Sequence, residues 1–125
     1  MIIGIGTDVA SVSRFERAME RHGERFALRL LGEHERETFH GHAPSAAFLA
    51  KRFAAKEAFV KALGTGLRHG MRWTEVQVVN DALGRPSLVI SGMAHELAEA
   101  AGVRSVHLSL SDDEALAMAF VILEG

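Results

Sequence analysis

The chain has 125 residues, 48% of them hydrophobic and 24% charged, with no cysteine and a formal net charge of −2. That length and balance fit one folded domain over 1–125 and exclude a disordered chain, disulfide or thiolate chemistry, and general nucleic-acid binding, which needs surplus Lys and Arg against phosphate. The opening "MIIGIGTDVAS" has no basic lead and meets an aspartate at position 8, so neither a signal peptide nor a membrane span is expected, and a cytoplasmic location is.

In chain order, Ile2, Ile3, Ile5 and Val9 predict a buried first strand, with Gly4 and Gly6 letting another backbone or a ligand come close and Asp8 near its end. The spacing of Ser13 and Glu16 predicts a capping box and a helix ending near Gly23, followed by a helical stretch from Glu24 to Gly32. Ser45 is placed to cap a long alanine-rich helix that Gly64 stops. "EVQVVND" and "RPSLVI" flank Ala82-Leu83-Gly84 as a hairpin, and "MAHELAEAAG" predicts a short helix. "VHLSLS" alternates, with Val106, Leu108 and Leu110 on one face and His107, Ser109 and Ser111 on the other. Asp112-Asp113-Glu114 makes a turn, after which "ALAMAFVIL" fits either a helix or a doubly buried strand by periodicity; the turn favours strand. Helices first and strands mainly afterwards predict an α+β fold, with helices packed on a mainly antiparallel sheet.

The residues able to carry chemistry cluster in two stretches. Glu57 and Lys61 lie one turn apart on the long helix beside Ala50 and Ala54, where small neighbours leave room for a ligand; for the helix taken alone, an intrahelical salt bridge is the simpler reading of the pair. Arg52 and Lys56 share another side. Asp8 is either a turn or helix cap or an oxygen ligand, and Asp8 with Glu57 is the kind of pair that holds Mg²⁺ together with waters and phosphate oxygens. Gly64-Thr65-Gly66 reads as a helix stop or as backbone N–H groups offered to phosphate. Arg14, Arg17 and Arg21 fall within about 60° of one another on the first helix, a basic ridge or a solvated face. His34, His40 and His42 among glutamates complete no familiar metal spacing, and His107 with Ser109 and Ser111 lacks an acid-histidine-nucleophile arrangement.

"GIGTDVASVSRF" joined to "FLAKRFAAKEAFVKALGTG" resembles the holo-acyl-carrier-protein synthases, small bacterial 4′-phosphopantetheinyl transferases. The resemblance spans the chain and rests on G-x-D near the N-terminus and on "FAAKEAFVK" in the long helix. It implies transfer of the phosphopantetheine arm of coenzyme A to a serine of apo-acyl carrier protein in a homotrimer with sites between subunits. It makes Asp8 and Glu57 Mg²⁺ ligands and, with Lys61, the catalytic set. Arg52, Lys61, Gly64, Thr65, Gly66, Ser109 and Ser111 become expected coenzyme contacts, and Arg14, with Arg17 and Arg21 beside it, the expected carrier-docking surface. Asp112 stands where many members have histidine, so no histidine is assigned there. A metal-held water, or Glu35 through a water, is available as general base. Two other readings use parts of the same set: a Mg²⁺-dependent nucleotide hydrolase, which needs no basic ridge, and a non-catalytic nucleotide-binding subunit, which needs no carboxylate pair.

Overall fold

The structure, a computed structural model, describes residues 1–38 and 44–125; His40 and His42 lie outside the described residues. The elements are β1 (Ile2–Ser11), α1 (Val12–His22), α2 (Glu24–Leu30), α3 (Glu33–Arg36), α4 (Ala46–Leu63), a 3₁₀ turn (Trp73–Glu75), β2 (Val76–Asn80), β3 (Pro86–Ile90), α5 (Gly92–Ala100), β4 (Ser105–Asp112) and β5 (Leu116–Glu124). Antiparallel pairing gives a three-stranded sheet in the order β1-β5-β4 and a separate β2-β3 hairpin, the α+β arrangement expected.

Helix α4 is the centre of the molecule. Ser45 caps it, its hydroxyl accepting from the Phe48 N–H at 3.1 Å. Gly64 ends it in the left-handed region at φ 83°, where a Cβ would be strained. Leu49, Ala50, Ala54, Ala55, Ala58, Phe59, Val60 and Ala62 are all buried.

The helix lies against β1 because β1 has almost no side chains on that face. Gly4, Gly6 and Ala10 point inward with Asp8, and a Cβ on Gly4 or Gly6 would run into the carbonyl oxygen of Ala62 or Ala58 respectively. The close approach allowed by the two glycines is therefore to backbone. This corrects the expectation for the large residues of β1: Ile2, Ile5 and Val9 are 56%, 61% and 55% exposed, because the inward positions belong to the small ones. On β5, Ala117, Ala119, Val121 and Leu123 are buried while Leu116, Met118 and Phe120 face outward and exposed, so the "ALAMAFVIL" strand is apolar on both faces but covered on one.

Two boundaries also differ from expectation. The first helix starts at Val12, and the Ser13 hydroxyl bonds that of Ser11 at 2.9 Å rather than capping the helix. The second helical stretch stops at Leu30, and α3 follows as a separate short turn, since the Glu35 carboxylate reaches back to the Gly32 N–H at 3.0 Å. That places Glu35 under the hairpin, where it meets α4.

Candidate active site

Asp8 stands opposite Ala119 in the β1-β5 ladder, on the sheet face that α4 covers. Its Oδ1 accepts from Lys61 Nζ at 2.9 Å, and the same ammonium donates to the Thr7 carbonyl at 3.1 Å. The lysine one turn beyond Glu57 therefore reaches across to the strand and pairs with Asp8. Glu57 lies close enough to both to feel them: burial pushes its carboxyl up, the neighbouring Asp8 charge adds to that, and Lys61 and Arg14 oppose it. Two carboxylates from a strand and a helix are thus held near each other, with cations at the edge that do not fully compensate the second.

Arg14 approaches from α1. Its guanidinium lies 5.3 Å from the Phe53 ring centroid and 5.8 Å from that of Phe15. Below it the rings form a tilted series, Phe26–Phe15 at 5.6 Å, Phe15–Phe53 at 5.4 Å and Phe53–Trp73 at 5.5 Å. Packed rings give the arginine a fixed platform beside Glu57. Arg17 and Arg21 lie further along α1, both exposed.

Several expected contacts are placed elsewhere. The N–H groups of Gly64 and Gly66 donate to Val60, with Gly64 shared to Lys61, at 3.0–3.3 Å; they close α4 instead of facing outward for phosphate. The Thr65 hydroxyl donates to the Gly66 carbonyl at 2.8 Å. Arg52 is buried, stacked 3.9 Å over the Phe48 ring and donating to the Val78 carbonyl at 3.2 Å, at the edge of a cavity lined also by His34, Thr38 and Asn80. Ser109 and Ser111 face outward on β4, opposite Phe120 and Met118, on the sheet face away from Asp8. Asp112 meets Lys51 of α4 at 3.8 Å.

Glu35 is corrected as a general base. It is 1% exposed, and its oxygens already accept from Gly32 N, Val78 N at 3.1 Å and Lys56 Nζ at 2.7 Å. Lys56, fully buried, completes its three donations on the Trp73 and Val76 carbonyls at 2.9 and 2.6 Å. Burial lowers its pKa to about 8, against the Glu35 charge and hydrogen bond that raise it. Arg52 Nε stands 3.4 Å from Glu35, close enough for attraction but with no hydrogen bond of its own. This network was missed from the sequence, although a lysine in a helix apolar nearly all round was its signal.

With that geometry in place, a model of the 4′-phosphopantetheinyl transferase superfamily matches residues 4–121. The chain belongs to that superfamily. Among curated members of the transferase superfamily, a holo-[acyl-carrier-protein] synthase of Halorhodospira halophila is 55% identical over 123 residues, covering 98% of each chain. A synthase structure from Neisseria meningitidis is similar to this transferase at TM-score 0.91 and 41% identity over all of both chains. Another, from Bacillus anthracis in complex with CoA (3′,5′-ADP), is similar at TM-score 0.80 and 37% identity, covering 98% of this chain and 96% of that one.

Proposed function

We infer that this chain transfers the 4′-phosphopantetheine arm of coenzyme A to a serine of apo-acyl carrier protein, releasing adenosine 3′,5′-bisphosphate, and that it does so in the cytoplasm. The observation that carries this is the Asp8–Glu57 pair held between β1 and α4 with Lys61 and Arg14 beside it, in a chain of this superfamily. The serine oxygen forms a bond to the β-phosphorus, the bond from that phosphorus to the bridging oxygen breaks, the oxygen leaves with the α-phosphate as adenosine 3′,5′-bisphosphate, and the serine proton goes to solvent or a base.

The donor set fits Mg²⁺. Two carboxylates whose charges disfavour each other gain from a cation between them, and Mg²⁺ is usually held by one or two carboxylates plus water and substrate phosphates rather than by an all-protein cage. Among the described residues no group of three or more His, Asp or Glu that could hold a metal assembles. Asp8 and Glu57 would hold the ion, which when bound supplies fixed positive charge against the pyrophosphate. Lys61, half-exposed at the rim, adds a second cation for the phosphate oxygens. Incubation with coenzyme A, Mg²⁺ and each of two apo-carriers tests the whole reading: the carrier gains the mass of the arm. Coenzyme A cleavage with the carrier unchanged would favour the hydrolase, and binding with neither change the non-catalytic subunit.

The ridge of Arg14, Arg17 and Arg21 is the surface for an acidic carrier. All three arginines are exposed residues, and Arg14 connects the ridge to Glu57. Arg14→Glu is expected to raise KM for the carrier about tenfold while leaving KM for coenzyme A within about twofold, and salt should weaken carrier use in the same direction. Equal effects on both substrates would reduce the ridge to a solvated face.

The active form we propose is a homotrimer; the number three is what the family resemblance implies. Its support here is the outer face of the sheet, where Ile5, Val9, Leu116, Met118 and Phe120 lie together and exposed. Ser109 and Ser111 share that face, so a neighbouring copy is their route to a coenzyme. Phe120→Glu should dissociate the assembly in light scattering during size exclusion and remove activity at nanomolar concentration. A fully active wild-type monomer at that dilution would reject the shared site.

A further inference from the structure

The buried Glu35–Lys56 pair is not part of the reacting surface, yet it sits one residue from Glu57. Lys56 spends all three ammonium hydrogens on three separate segments: Glu35 of α3, the Trp73 carbonyl in the 3₁₀ turn and the Val76 carbonyl at the start of β2. Glu35 is in turn fixed by the Gly32 and Val78 N–H groups. The sheet side of α4 is different. Its floor is Gly4, Gly6, Ala10, Ala117 and Ala119, with Val121 and Leu123 beyond them, apolar packing that sets how close the helix lies, and the polar tie on that side is the half-exposed Lys61 to Asp8 and the Thr7 carbonyl at the rim rather than in the core. Replacing buried ion pairs by apolar side chains is often neutral for stability, so stability alone is a weak reason for this one. Direction is a better reason, because three hydrogen bonds to fixed oxygens define an angle that apolar packing does not.

We propose that Glu35 and Lys56 are positioning residues: their buried pair locks the rotation of α4 and so holds Glu57 across from Asp8. The inference rests on the two-carboxylate metal site proposed above. A helix with its side chains is about 10–12 Å across, so a roll of about 10° moves a carboxylate by about 1 Å. Mg²⁺ needs oxygen distances near 2.0–2.1 Å in a strict octahedron, so that displacement is enough to weaken the site. Asp8 would not follow, since it is carried by the sheet.

The test is Mn²⁺ titration by electron paramagnetic resonance, with coenzyme A present, alongside thermal unfolding of each protein. Glu35→Gln keeps the volume and removes the charge; Glu35→Leu with Lys56→Met replaces the lock by apolar packing and keeps the test open where the single variant does not fold. Leu30→Ala, in the α2 core, supplies a destabilised protein with the lock intact. Both lock variants are expected to bind Mn²⁺ about tenfold or more weakly, the double variant even where its Tm equals wild type, while Leu30→Ala keeps wild-type affinity. Wild-type affinity in a folded lock variant, or equal weakening in Leu30→Ala, overturns the proposal alone. Absence of any Mn²⁺ site in the wild-type protein overturns the two-carboxylate reading and this inference with it.

Discussion

Asp8→Asn and Glu57→Gln are each expected to lower turnover by about 100-fold or more at saturating coenzyme A and carrier, in proteins that remain folded. The two should differ in stability. Asp8 is paired with Lys61, so its neutral form loses an attraction. Glu57 carries a raised pKa from burial and from Asp8, so at neutral pH its charge works against the fold. The sign follows from proton binding: between the unfolded and folded pKa values the native state holds more protons, and stability falls as pH rises through that window. Above it the cost is fully present, and Glu57→Gln removes it, giving a Tm equal to or above wild type. A catalytic defect without a stability defect would separate function from structure at this position. At the proposed Mg²⁺ site the same shift would set the ion against a proton on Glu57, so affinity should fall as pH drops through the folded pKa, by up to about tenfold per unit. Folded variants with wild-type rates at limiting Mg²⁺ would remove the pair as ligands.

Gly6→Ala is expected to be one of the most damaging single-methyl changes among the described residues. The new Cβ has nowhere to go but into the Ala58 carbonyl, which is helix backbone and cannot swing aside. Either α4 lifts from β1 or the strand bends, and overpacking of this kind costs about 3 kcal/mol, roughly 12 °C in Tm for a domain of this size. Because Asp8 is on β1 and Glu57 on α4, lifting the helix separates the carboxylates, and activity should fall about 100-fold even at temperatures where the variant is folded. Gly102→Ala is the comparison: Gly102 has φ 85° with only the Ile3 side chain near it at 3.7 Å, so it costs about 1 kcal/mol of backbone strain and leaves turnover intact. Similar activity losses in both would show that destabilisation alone, not separation of β1 from α4, explains the Gly6 effect.

Local pattern was enough to read most of the elements and to single out the residues proposed for the site. Alternation read out β4, the hairpin residues read out β2-β3, Ser45 and Gly64 bounded α4, and Asp8, Glu57 and Lys61 stood out because charge is costly on a strand of glycines and a helix of alanines. These are local signals, set by side-chain period and backbone preference within a few residues. What each group touches was decided by the tertiary structure. Lys61 had a carboxylate one turn away on its own helix and another 53 positions earlier on β1, and it is the distant one that it bonds. Ile5 and Val9 had the composition of a core, yet the inward face of β1 went to Gly4 and Gly6, since only a strand without side chains lets a helix backbone come so near. Glu35 was available from the sequence as a general base through a water and is instead the most enclosed carboxylate among the described residues, because α3 is carried beneath β2 to meet Lys56. Pairing of that kind depends on where whole elements pack, which is a property of the summed burial of the chain and of no single stretch of it.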